Sequence, residues 1–371
     1  MKCEKRRPIR LALAALFLGA SAAVVAPMRE TKGVDAPSGP TLRQYADRFG
    51  FYIGSLLQRA MMDDPAYREV LGSEFNSAVS FIHMKFQEPE PGQFNFRAMD
   101  QDMQFAREHN MKLFGAPLIY RAGAVAPDWL APHRGGNFGR SKEEFDQIMK
   151  DWIQTIVRHG GDTYYCWEVV NEPLSNRNQP WDAVFGLDQY IAKAFRYAHE
   201  ANPSAKLVLN DTFGQGGIDR GKADAFFDLI QRLKSRGVPI DVAGTEMHLE
   251  AQQLRPDYLD EFKYFLSRAR AAGVEVYITE MDLYQGPPGA FPDPMEHQRQ
   301  IYHNVLAICL ADSNCKGFTT WGFSDIRSWL TQKRRDPHPD AKPLLFDDQF
   351  QKKPAFFGVL KALEEHAAAS Q

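Results

Sequence analysis

Two glutamates follow apolar, β-branched runs, and their pairing suggests a chemistry. The first run is Trp167-Glu168-Val169-Val170-Asn171-Glu172-Pro173, and the second is Val274-Glu275-Val276-Tyr277-Ile278-Thr279-Glu280-Met281-Asp282. Each run reads as a strand, and each delivers a carboxylate where that strand is expected to stop. Glycoside cleavage by a two-acid mechanism needs such a pair: one group protonates the leaving oxygen while the other attacks the anomeric carbon. A retaining reaction needs the two about 5–5.5 Å apart. Asn171-Glu172-Pro173 is the expected local context for the acid/base, which leaves Glu280 as the nucleophile. Asn171 is expected to hold a sugar 2-hydroxyl beside the reacting carbon. His248 and Asp282 are the supporting candidates, because a histidine held between two carboxylates orients the nucleophile and helps it keep its charge. Either carboxylate motif alone is weak evidence, since Asn-Glu-Pro recurs by chance and strand-end glutamates are often surface groups. The combination, with His248 between them, is specific.

Eight strand-like runs are available to position these groups. They lie near Phe51–Leu57, Ala78–Ile82, Leu113–Tyr120, Tyr164–Val170, Lys206–Leu209, Val242–Met247, Val274–Thr279 and Gly317–Trp321. Amphipathic stretches separate them: Arg97–His109, Lys142–His159, Leu187–Ala201, Ala223–Arg236, Tyr258–Ala272 and Glu296–Ala311. Strands alternating with helices over this length predict an α/β fold, a single-domain (β/α)₈ TIM barrel. The rival, a doubly wound sheet, lacks the glycine-rich nucleotide turn expected after an early strand. In the barrel count Glu172 follows the fourth strand and Glu280 the seventh, so both reach the catalytic rim.

The 371 residues are 44% hydrophobic and 25% charged, ample for a large core, and the net charge of −3 suggests no nucleic-acid partner. Residues 1–26 read as a signal peptide: Lys2, Lys5, Arg6, Arg7 and Arg10 precede an uncharged run from Leu11 to Ala26, with small residues at Ala20-Ser21-Ala22 for cleavage. The chain is therefore expected to be exported, periplasmic or secreted, with no membrane attachment after cleavage. Residues 27–41 read as a linker, 42–366 as the catalytic domain, and 367–371 as a disordered tail. In an exported protein Cys309 and Cys315, flanking a turn-like stretch, are read as a disulfide that staples a helix end to the next strand. Cys166 is read as a buried free thiol. No Cys/His spacing suggests a metal, and two carboxylates supply acid, base and nucleophile without a cofactor. A monomer acting on a polysaccharide or oligosaccharide is expected.

The chain resembles glycoside hydrolase family 10, the retaining endo-β-1,4-xylanases, over about residues 45–364. The motifs that carry the resemblance are Glu88-Pro89 with Gly92-Gln93-Phe94-Asn95-Phe96, Trp167 to Glu172, Ile278-Thr279-Glu280-Met281-Asp282, Gly317 to Gly322, Ser328-Trp329, Pro343 to Asp347, and Lys353-Pro354-Ala355 to Leu360. The resemblance implies the same roles for Glu172, Glu280 and Asn171, a similar disulfide, and Trp321 and Trp329 as an apolar wall around the reacting sugar. Lys85 survives from the family's Met-Lys-Trp on the second strand, and the resemblance implies that it contacts substrate.

The departures fall on the substrate side. The family's Glu-Asn pair on the second strand is Phe81-Ile82 here. Its Gly-His-x-Leu-Val-Trp-His on the third is Gly115-Ala116-Pro117-Leu118-Ile119-Tyr120-Arg121. The Gln two before the sixth-strand His is Glu246, and Asn-Asp-Tyr-Asn after the fifth strand is Asn210-Asp211-Thr212-Phe213. Buried hydroxyl recognition is where sites discriminate most strongly. The expectation is therefore retaining endo-hydrolysis of a β-1,4-linked polysaccharide, xylan by default. A bacterial exopolysaccharide or an acidic or modified glycan, cleaved or transglycosylated, is the alternative. Tyr120 and Arg121 are candidate substrate contacts, and the Arg121 guanidinium suits a sugar carboxylate or an ion pair with Asp128 or Glu246. A non-catalytic carbohydrate-binding barrel is the reading furthest from these, because binding alone needs no acid/base pair.

Overall fold

Parallel strands buried on both faces read as near-continuous apolar runs, and all eight such runs pair. In the computed structural model they are β1 Tyr52–Leu56, β2 Ser77–Phe81, β3 Lys112–Ala116, β4 Tyr164–Asn171, β5 Lys206–Thr212, β6 Val242–Glu250, β7 Glu275–Tyr284 and β8 Cys315–Thr320. Each pairs in parallel with the next, and β8 returns to β1, closing the barrel. The structure describes residues 39–121, 126–130, 139–175, 180–332 and 338–370. These fall within one compact unit. The expected signal peptide and most of the expected linker lie outside the described residues. Among the described residues no helix is long and apolar enough to cross a membrane.

A small core fills the barrel, with Val79, Phe114, Cys166, Val208, Val242 and Tyr277 packed together. A larger one lies between strands and helices. Cys166 is a buried free thiol. The amphipathic stretches form the outer helices, and polar caps fix their starts. Ser141 and Glu144 form a capping box on Lys142–Gly160, and Asp219 accepts from Lys222 N–H at the head of Arg220–Lys234. That cap explains why the last helix begins three residues before the apolar periodicity does. A helix at Pro65–Glu74, absent from the sequence reading, starts from the Asp64 cap with proline in its first turn. Thr41 caps Leu42–Ala46, the first helix of the described residues. Cys309, near the end of helix Pro294–Ala311, is disulfide-bonded to Cys315, the first residue of β8.

Several boundaries differ from expectation. Helix Pro354–Ala369 runs through the stretch expected to fray from residue 367, because Ala367 is buried. The same helix packs so closely on Pro294–Ala311 that a Cβ at Gly358 would lie 2.3 Å from the Arg299 carbonyl oxygen. β3 stops at Ala116 rather than Tyr120, since Pro117 has no N–H for the ladder. Beyond it, Leu118 and Ile119 donate to the Glu168 and Val169 carbonyls of β4 at 2.9 and 3.0 Å. β7 does not stop at Glu280 but continues to Tyr284, paired with β6 through Glu250.

Candidate active site

The carboxyl ends of the strands open into a cleft of about 800 Å³ whose walls include Glu172, Glu280, Asn171, His248, Tyr120, Arg121, Trp321 and Trp329. Both carboxylate-bearing strands carry a bulge beneath their glutamate. β4 shifts register between Glu168 and Val170. On β7, Ile278 pairs with Thr245 and Glu280 with Glu246, leaving Thr279 as the extra residue. A bulge re-aims the side chains that follow it, and here each precedes a glutamate turned into the cleft.

Glu172 is the first residue past β4 and has φ +49°, a left-handed conformation that costs a non-glycine residue about 1–3 kcal/mol. Its surroundings hold it there. Its N–H donates to the Asn210 carbonyl at 2.9 Å. The turn beyond is tied to Asp211 of β5: Leu174 N–H donates to one carboxylate oxygen at 2.8 Å, and Ser175 Oγ donates to the other, which Lys222 Nζ also reaches at 2.8 Å. Bonds to a charged acceptor, at about 1.5–3 kcal/mol each, outweigh the strain. Tyr120 Oη donates to Glu172 Oε1 at 2.8 Å. Burial lifts the Glu172 carboxyl above the ordinary range, the Tyr120 bond opposes this, and the Glu280 charge adds to it.

Glu280 sits in a different setting. His248 Nε2 lies 3.1 Å from Glu280 Oε2, and His248 Nδ1 lies 2.9 Å from Asp282 Oδ2. Trp329 Nε1 donates to the same Asp282 oxygen at 2.5 Å, and its ring lies 4.9 Å from the His248 ring. Burial alone would depress His248, but Asp282 and Glu280 on its two sides push it well above the usual imidazole range. Burial also raises Glu280, and the His248 bond and charge oppose that rise. The histidine between two carboxylates, expected from sequence, is therefore present as a chain Trp329–Asp282–His248–Glu280.

A buried polar web supports both halves. Asn210 Nδ2 donates to Asn171 Oδ1 at 3.0 Å and to Glu246 Oε1 at 3.1 Å, and Thr279 Oγ1 donates to Asn210 Oδ1 at 2.8 Å. Gly244 makes room for this amide, since a Cβ there would lie 2.3 Å from Asn210 Oδ1. Glu168 and Glu246, 2% and 4% exposed, are buried carboxylates beside the pair. Burial holds both well above the carboxylate range, with the Glu280 and Glu172 charges adding to it. Glu246, His248 and Glu280 place ligand-type atoms within 4.8 Å of one another, a spacing a metal ion could use. Both His248 nitrogens already face carboxylates.

The substrate-side candidates divide. Trp321 lines the cleft edge-on to Phe81, with ring centroids 5.7 Å apart. The Arg121 guanidinium lies over the Tyr120 ring, 5.3 Å from its centroid. Lys85 stands outside the lining residues. The chain turns after β2 into the short helix Met84–Gln87, which carries the Lys85 ammonium over the Phe86 ring at 5.1 Å, while Phe81 forms the wall. Sequence reading gave Glu168 no role. Its signal was a charged residue inside an otherwise apolar strand, which a barrel interior tolerates only with a reason.

A (β/α)₈ barrel whose rim gathers buried carboxylates in one cleft has the build of a polysaccharide-cleaving enzyme. Comparison with known proteins agrees. The model of glycosyl hydrolase family 10 matches residues 41–362. The chain is 30% identical over 333 residues to endo-1,4-beta-xylanase B of Thermotoga neapolitana, covering 87% of this chain and 92% of that protein. It is 31% identical over 356 residues to a beta-1,4-xylanase of Dictyoglomus thermophilum, covering 90% and 93%. Xylanase 10B of Thermotoga maritima superposes with TM-score 0.78 at 30% identity, over 89% of this chain and 100% of that one. Xylanase 10B of Thermotoga petrophila, solved in complex with xylobiose, gives TM-score 0.78, 30% identity and coverage of 89% and 99%. The chain belongs to glycosyl hydrolase family 10 and is a glycoside hydrolase.

Proposed function

We propose that this protein is an exported, retaining endo-hydrolase of a β-1,4-linked polysaccharide, with Glu172 as acid/base and Glu280 as nucleophile. The observation that carries the reading is the contrast between the two carboxylates. Glu280 faces an imidazole pushed toward its charged form, which favours an anion ready to attack. Glu172 is held by a neutral phenol and raised by burial, which favours a proton ready to give. In the first step Glu172 protonates the leaving oxygen as Glu280 bonds to the anomeric carbon, leaving a glycosyl-enzyme. Formation of that ester removes the Glu280 charge, one of the causes that raise Glu172. Glu172 then accepts a proton from water as the intermediate is hydrolysed. Asn171, held by Asn210, offers its amide to the sugar 2-hydroxyl, and Trp321 and Trp329 shape the wall around the ring.

Xylan is the default substrate, supported by family membership, by relatives named as xylanases and by the xylobiose bound in a structural relative. Incubation with linear xylo-oligosaccharides beside a panel of neutral and acidic β-glycans tests it, and xylo-oligosaccharide cleavage is expected. Silence on xylan with cleavage elsewhere would mean that Phe81, Ala116, Tyr120 and Arg121 have redirected the site. Arg121, exposed at the cleft wall, favours a second reading in which the glycan carries carboxylates. On that reading Arg121→Ala lowers kcat/KM for an acidic oligosaccharide about tenfold more than for a neutral one, the value of one charge-assisted hydrogen bond. Equal losses on both would count against it.

Tyr120→Phe tests the acid/base environment. The phenol bond favours the Glu172 carboxylate and so lowers its pKa. Without it Glu172 keeps its proton to higher pH, and the alkaline limb of kcat/KM against pH is expected to move upward. An unmoved limb would mean that another group sets it.

A further inference from the structure

Two glutamates face each other across the β6–β7 ladder at the floor of the cleft. Glu246 and Glu280 are register partners, and a carboxylate oxygen of each lies within 4.8 Å of the other. They are 4% and 6% exposed. Two buried carboxylates this close oppose each other's ionisation, and one proton on the pair relieves that repulsion. Their partners decide which of the two carries it. Glu280 faces His248, itself backed by Asp282. Glu246 Oε1 accepts from Asn210 Nδ2, a neutral amide already shared with Asn171. The other charged and titratable groups around Glu246 do not favour its anion: Glu168 and Glu172 from β4 and the turn beyond it, and Glu280 from β7, are all acidic. Tyr120, beyond β3, is a weak acid held neutral by burial. His248 is the exception, and both its nitrogens are directed at Glu280 and Asp282.

We propose that Glu246 is a positioning residue that works as a neutral carboxylic acid: its proton leaves the negative charge of the pair on Glu280. The inference rests on Glu280 being the nucleophile. Asn210 fixes the orientation, because Oε1 accepts from the amide and the O–H is thereby assigned to Oε2. A glutamine at this position would keep the Oε1 acceptor and supply an N–H donor in place of the O–H.

The test compares Glu246→Gln, Glu246→Ala and Glu280→Ala in the full chain, with xylo-oligosaccharides and an aryl xylobioside as probes. Alanine at position 246 is expected to lose about a hundredfold in kcat/KM, the loss typical of one oriented donor. Glutamine is expected to recover most of that loss. A readout independent of turnover is the infrared carbonyl band of neutral carboxylic acids at neutral pH. Wild type minus Glu246→Gln is expected to show one such band. Superimposable spectra would overturn the proposal, as would a glutamine variant no better than alanine. Activity surviving in Glu280→Ala would instead overturn the nucleophile assignment, so the two failures are distinguishable.

Discussion

Replacing Glu280 with alanine is expected to reduce turnover on the order of 10⁵-fold, with the fold and sugar binding retained. Loss of the nucleophile removes the covalent step altogether, and removing one member of such a unit costs nearly as much as removing all of it. The side chain is 6% exposed and bonded to His248. Truncation therefore leaves an imidazole facing a cavity, so a small loss of thermal stability should accompany the loss of activity. Steady-state rates on the best substrate of the glycan panel, with calorimetric binding of the same oligosaccharide, check both halves. Turnover within tenfold of the wild type would remove Glu280 from the mechanism.

Glu172→Ala should behave differently, and the difference is diagnostic. General acid catalysis contributes about 10²–10⁴-fold, and it matters most when the leaving group is a poor one. Cleavage between sugars is expected to fall by that factor. An activated aryl glycoside, which departs without a proton, should still form the glycosyl-enzyme quickly. Hydrolysis of that intermediate then becomes slow, because no base remains to activate water. A burst of released phenol followed by a slow steady state is the expected trace, and added azide should accelerate the second phase. Equal losses on both substrate types would argue that Glu172 binds sugar without transferring a proton.

The frame and the placement of Glu172 and Glu280 at one cleft were legible because both depend on local pattern. Eight apolar runs bounded by polar turns give strands wherever they close a barrel, and a carboxylate following such a run falls at the rim. The outer helices were legible from their 3.6-residue periodicity, although Pro65–Glu74 announces itself through its Asp-Pro start rather than through a strong apolar stripe. What escaped depends on register. Glu246 stands opposite Glu280 only because Thr279 is an extra residue on β7. Glu168 reaches the site from within β4, below a second bulge. No run of residue types reports a bulge, so Glu168 was visible as a letter without a role, and Glu246 only as a departure from the family's Gln and a possible ion-pair partner of Arg121. Lys85 shows the converse: its motif survives, but the turn into Met84–Gln87 sets it over Phe86 rather than on the cleft wall. The end of β7 was misjudged because a carboxylate normally marks a strand end. Here Glu280, Asp282 and His248 partner one another, and the strand continues past them.

The most direct test of the central claim is the configuration of the first product. Proton NMR of a linear xylo-oligosaccharide, recorded within the first minutes of cleavage by the full chain, distinguishes the anomers before mutarotation mixes them. The double displacement through Glu280 predicts that the β anomer appears first and the α anomer only later. An α anomer appearing first would mean that water attacks directly and that Glu280 is a base, contradicting the account.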